Sequence, residues 1–178
     1  MDGRIHHRTR SRSGVGVNPL VAVGIAVGIL AGAWTWASSN LGLTTWVAFV
    51  TWALFFAAGG KLTGLVKVAP AVLTGLLYGS VVLSVAGLIP SAWTVPIGVA
   101  LIAFIMCAQA NWSVLSFIPA AFAGAALLFG TGGDWLGAGI SALIGVGLGF
   151  VSEWSGGLLA KLGKPARAPF KTTTATAS

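Results

Sequence analysis

The sequence is poor in charge, and poorest in acid. Only 7% of its 178 residues are charged, and Asp2, Asp134 and Glu153 are its only acids. A soluble globular domain carries about 25% charged residues. Without them the chain cannot clothe a water-facing surface, so lipid must be its main solvent. Cysteine is nearly absent as well: Cys107 stands alone inside an apolar run. That excludes an internal disulfide framework and fits a small core hydrophobe. The two histidines, His6 and His7, lie in a basic stretch away from the apolar runs. There is no HExxH, no glycine-rich phosphate loop, and no apolar run that pairs an acid with a base. Enzymatic chemistry, a bound metal and a cofactor are therefore not expected.

What the chain has is oil: 56% of residues are hydrophobic and the mean hydropathy is +0.93. Six apolar runs can be cut, roughly 19–37, 43–60, 65–87, 93–110, 113–130 and 136–159. Each is close to the ~20 residues a helix needs to cross about 30 Å of hydrocarbon. Runs such as PLVAVGIAVGILAGAW do not alternate apolar with polar residues, which excludes the strands of a membrane β-barrel.

The cations fix an expected topology. Arg4, Arg8, Arg10 and Arg12 precede the first run, Lys61 and Lys67 follow the second, and Lys161, Lys164, Arg167 and Lys171 follow the sixth. The breaks after the first, third and fifth runs hold no Lys or Arg. By the positive-inside rule, both termini are expected in the cytoplasm. The net charge of +7 is thus a topology signal, and no nucleic-acid partner is expected. The first run reads as an uncleaved anchor, because five more runs of similar length follow it. Residues 1–18 read as a disordered basic cytoplasmic arm, 19–160 as a six-helix transmembrane domain, and 161–178 as a disordered cytoplasmic tail.

One piece of punctuation occurs twice. KVAPAVLTG at 67–75 and SFIPAAFAG at 116–124 lie 49 positions apart, which also brings Phe55 onto Phe104 and Gly75 onto Gly124. Small residues four apart recur in the odd runs: Gly24, Gly28 and Gly32 in the first, Ala71, Gly75 and Gly79 in the third, Ala120 and Gly124 in the fifth. Such spacing lines one helix face and lets backbones approach closely in lipid. The expectation is an all-α membrane protein of six transmembrane helices, arranged as three two-helix hairpins around a pseudo-threefold axis. Three hairpins around an axis leave room for a narrow pore.

FIMCAQA, LSFIPAAFAGAALLFGTGGDW and SEWSGGLLA resemble bacterial inner-membrane proteins grouped as domain of unknown function 1097. The likeness covers about 19–160 and implies an inner-membrane location, without an activity or site residues. A looser likeness is to the six-helix urea/amide and acetate channels. NPLVAVG supplies the Asn18-Pro19 start of the acetate-channel signature, with Val21 in place of its second Pro. That likeness implies a homo-oligomer, a trimer or hexamer, with a pore through each subunit.

Candidate pore residues are the polar or aromatic ones inside or beside the apolar runs. Glu153 is the one acid within a run. It either faces a watery vestibule or snorkels towards Lys161 or Lys164. Gln109 and Asn111 in QANWS would join it at a polar cytoplasmic mouth. Trp52, Phe55, Tyr78, Phe104 and Phe122 are candidates for an aromatic constriction. The remaining seven Trp fall near run ends, where indoles anchor at headgroups. Asp134 is placed to cap the sixth helix. The expected function is a channel or facilitator for a small polar, uncharged or weakly acidic solute. The alternative is a non-transporting scaffold that acts through helix packing, arm and tail.

Overall fold

In a computed structural model, residues 18–162 are described, and among them the chain is helical with no strand. Six helices follow one another: α1 (Pro19–Leu41), α2 (Thr45–Ala57), α3 (Lys61–Leu88), α4 (Thr94–Ala108), α5 (Ile118–Gly130) and α6 (Trp135–Leu162). The expected arm and tail lie, apart from their innermost residues, outside the described residues. Two short 3-10 turns, Gln109–Asn111 and Ser113–Leu115, link α4 to α5.

Local chemistry sets these boundaries. Asn18 begins α1 by accepting the Leu20 N–H at 2.9 Å, with Pro19 in the first turn. Gly42, left-handed at φ 66°, ends that helix and donates its N–H to the Ser38 carbonyl. Asp134 caps α6 as expected, accepting the Gly137 N–H at 2.9 Å. Four helical stretches are long and apolar enough to cross a membrane: α1, α3, α6, and α4 continued through its 3-10 turn. By contrast, α2 and α5 have 13 residues each, or about 20 Å at 1.5 Å per residue. The sequence-based runs 43–60 and 113–130 are longer than these helices. The excess is the glycine turn after α2 and the 3-10 turns before α5.

Contacts between helices give their directions. Val72 and Gly75 meet Gly124 and Ala121, while Gly79 meets Leu128, so α3 and α5 run parallel. Ala48 and Phe55 meet Gly145 and Gly149, so α2 and α6 also run parallel. Leu83 lies by Gly133 and Leu76 by Gly139, so α3 and α6 are antiparallel. Val23 touches Gly156, and the Thr44 N–H bonds the Ser141 hydroxyl, which sets α1 against the direction of α6. Gly98 meets Val82 while Gln109 reaches Thr74 and Tyr78, so α4 opposes α3.

These directions describe two halves, α1–α3 and α4–α6, related by a pseudo-twofold axis across the helices. The neighbour pattern is the same in both. α3 packs on α5 as α6 packs on α2, and α4 packs on α3 as α1 packs on α6. The close contacts are mirrored too. A Cβ on Gly75 would collide with the Ala121 carbonyl, and one on Gly145 with the Ala48 carbonyl. The Val72 carbonyl faces Gly124, and the Ala142 carbonyl accepts the Thr51 hydroxyl. Gly60 lies under Glu153, and Gly133 under Leu83. Three helices per half reverse the second half relative to the first, giving an inverted repeat.

The pseudo-threefold arrangement is corrected by this packing. Gly75 and Gly124 do meet, but against each other, on two parallel helices. α1 lies on α6 instead of joining them, and a Cβ on Gly24, Gly28 or Gly32 would meet nothing within 4 Å. The matched prolines also differ in role. Pro70 lies inside α3 whereas Pro119 opens α5, a position where its missing N–H breaks no helical bond. The 49-residue correspondence therefore marks two helices that pack on one another, and no axis around which three are arrayed.

Candidate functional site

Val47, Phe55, Val68, Val72, Met106, Leu127 and Leu128 form a continuous apolar core in which α2, α3 and α5 supply most of the bulk. Polar side chains enter it only with partners, as a low-dielectric interior requires. Between α2 and α6, buried Thr51 donates to the Ala142 carbonyl at 2.8 Å. From the next residue of α2, Trp52 donates its indole N–H to Ser152 at 3.1 Å, and Ser152 donates to the Gly149 carbonyl at 2.8 Å. Between α3 and α4, the Tyr78 hydroxyl donates to Gln109 Oε1 at 2.9 Å, and Gln109 Nε2 donates to Thr74 at 3.3 Å. Gln109 is 4% exposed, so these bonds replace the water it has lost.

Glu153 sits at the α2–α3 turn. Its Oε2 accepts the Lys61 backbone N–H, and both oxygens lie against Gly60. The turn needs this help: Gly59, Gly60 and Lys61 all have positive φ, at 97°, 64° and 55°. A lysine in that region is strained. The carboxylate holds the first N–H of α3, whose N-cap Gly60 offers no side chain to do so.

The eight sequence-predicted pore residues do not gather around one passage. Phe55 is 0% exposed in the core, whereas Phe104, its partner in the 49-residue correspondence, is 73% exposed on the outer face. Phe122 is 44% exposed. Asn111 is exposed and bonds the Ala108 carbonyl at 2.8 Å. Trp52, Gln109 and Tyr78 are held in the two polar clusters. Trp34 departs from the expected headgroup belt: it is buried, its indole N–H donated to the Thr45 carbonyl at 3.2 Å.

Sequence reasoning passed over Thr51, Gly145, Gly149 and Ser152, which make the α2–α6 contact. The signal was present at a second offset. At 73 positions, Ala48-Phe49 falls on Ala121-Phe122, Ala53-Leu54 on Ala126-Leu127, and Gly59-Gly60 on Gly132-Gly133. In α3 and α6 the structural offset is 70, bringing Gly75 and Gly79 onto Gly145 and Gly149.

Where the two halves meet, α3 and α6 enclose two open grooves at their opposite ends. One, of about 510 Å³, is lined by Leu73, Leu77, Ser80, Ser84, Trp135 and Leu136. The other, of about 400 Å³, is lined by Lys61, Leu62, Phe150, Glu153, Trp154 and Lys161. The first is apolar with two hydroxyls; the second carries charge.

The family model for a protein of unknown function (DUF1097) matches residues 24–157. The inner membrane protein YcdZ of Salmonella typhimurium (strain LT2) is 34% identical over 142 residues, covering 79% of this chain and 89% of that one. YcdZ of Escherichia coli (strain K12) is likewise 34% identical over 142 residues, covering 79% and 87%. The uncharacterized protein YahC of Escherichia coli (strain K12) is 31% identical over 152 residues, covering 79% and 92%. No solved structure matches the chain. The chain belongs to the DUF1097 family.

Proposed function

We propose that this member of the DUF1097 family is a six-span inner-membrane facilitator for a small polar, uncharged or weakly acidic solute, with both termini cytoplasmic. The observation that carries the reading is the inverted repeat. Transporters are commonly built from two halves of opposite orientation, with the solute handled where the halves meet. Here that meeting place is the antiparallel α3–α6 pair, supported by the short helices α2 and α5. The inner-membrane location follows from the names of the YcdZ relatives and from the apolar helices. The scarcity of acids within the spans speaks against a multi-acid proton relay. The passage is proposed to open as one half moves against the other, past the packed apolar core. A homo-oligomer, trimer or hexamer, is part of the same proposal.

A second reading is favoured by that same packed apolar core: a scaffold that transports nothing. Flux separates the two. Protein reconstituted in proteoliposomes should raise the permeability to urea, acetamide or acetate above that of protein-free vesicles, read by stopped-flow light scattering. Permeability equal to that of the protein-free vesicles for all three would favour the scaffold.

A further inference from the structure

We infer that the charged groove at the α3 N-terminus and the α6 C-terminus binds one anionic phospholipid, taking the headgroup phosphodiester at Lys61 and Lys161. The inference rests on the membrane-spanning reading above, though not on transport. Three features of the groove fit that ligand. First, two lysines from different helices, Lys61 and Lys161, line one groove of about 400 Å³. Secondly, its lining is mixed: Leu62, Phe150 and Leu158 supply apolar surface for an acyl chain, and exposed Trp154 supplies an amphipathic indole. Thirdly, Glu153 takes only the Lys61 N–H of the first turn of α3, and helix N-termini favour anions.

Glu153 also borders the groove and would repel an anion if its charge were free. It is engaged with the α2–α3 turn, through the Lys61 N–H and against Gly60. Two lysines against one such carboxylate leave the groove with an excess of positive charge. The pseudo-symmetric groove at the other end of α3 and α6 acts as an internal control. It has the apolar walls, Ser80, Ser84 and Trp135, but no cation. A merely greasy groove would bind lipid at both ends without regard to headgroup; a phosphodiester site belongs only at the lysine end.

The test is native mass spectrometry of the full chain released from detergent containing phosphatidylglycerol and phosphatidylcholine of matched acyl chains. Wild type should retain one phosphatidylglycerol in preference to phosphatidylcholine. Each lysine near a membrane surface contributes about fivefold to anionic-lipid attraction. K61Q and K161Q should each cut the preference by about that factor, and the double variant should abolish it. K61R/K161R should restore it, which separates lost charge from lost folding. K67Q, changing a lysine outside this groove, should keep the preference. Equal retention of the two lipids by wild type would overturn the inference, as would an undiminished preference in the double variant. Millimolar inorganic phosphate should leave the bound lipid in place; complete displacement would identify a free-anion site instead and also overturn it.

Discussion

Adding a single methyl at Gly75, Gly145 or Gly28 should produce two opposite outcomes. At Gly75 the new Cβ would collide with the Ala121 carbonyl, and at Gly145 with the Ala48 carbonyl. These are backbone atoms of a facing helix and cannot rotate away, so the helices must separate. Overpacking of this kind costs about 1–3 kcal/mol. Replacing glycine by alanine inside a helix returns about 0.5–1 kcal/mol. The net loss reaches about 2.5 kcal/mol, which at this chain length lowers Tm by up to about 10 °C. At Gly28 nothing lies within 4 Å of the added atom, so only the helix-forming gain remains and Tm should hold or rise slightly. Gly75→Ala, Gly145→Ala and Gly28→Ala can be compared by intrinsic tryptophan fluorescence during thermal unfolding at matched detergent and lipid. A fall for Gly28→Ala equal to that of the other two would refute the assignment of close contacts. So would an unchanged Gly145→Ala.

Thr51→Val removes the hydroxyl that bonds the Ala142 carbonyl across α2 and α6. It should cost about 0.5–1.5 kcal/mol in the same assay, while Thr51→Ser should keep most of the stability. Asp134→Ala removes the α6 cap and should cost about 0.5–2 kcal/mol, with Asp134→Asn largely neutral.

The helices were legible in the sequence because lipid demands long unbroken apolar runs, and these survive any tertiary arrangement. Their ends were read less well. α2 stops at Ala57 and α5 starts at Ile118, because a glycine pair and a pair of 3-10 turns take up residues that are apolar enough to be counted as span. The Asp134 cap was legible since it depends only on residues three apart in sequence. The arrangement of the helices was not. KVAPAVLTG and SFIPAAFAG share a surface because they face each other, and matched surfaces look the same whether two copies or three meet. The informative likeness, Ala48–Gly60 with Ala121–Gly133, lay at a different offset and was diluted by a register change of three residues in the following helix. The pore candidates scattered because depth in the membrane says nothing about facing. Phe55 and Phe104 align in sequence, yet one is enclosed and the other faces outward.

The inverted repeat makes a claim that one labelling experiment reaches directly. Ala58 and Thr131 occupy equivalent positions, each just before a Gly-Gly turn, and neither is fully buried. With Cys107→Ser to remove the native thiol, Ala58→Cys and Thr131→Cys can be probed in intact cells and in inverted vesicles with a membrane-impermeant maleimide. Ala58→Cys should react only from the cytoplasmic side and Thr131→Cys only from the periplasmic side. Labelling of both from the same side would contradict the inverted repeat.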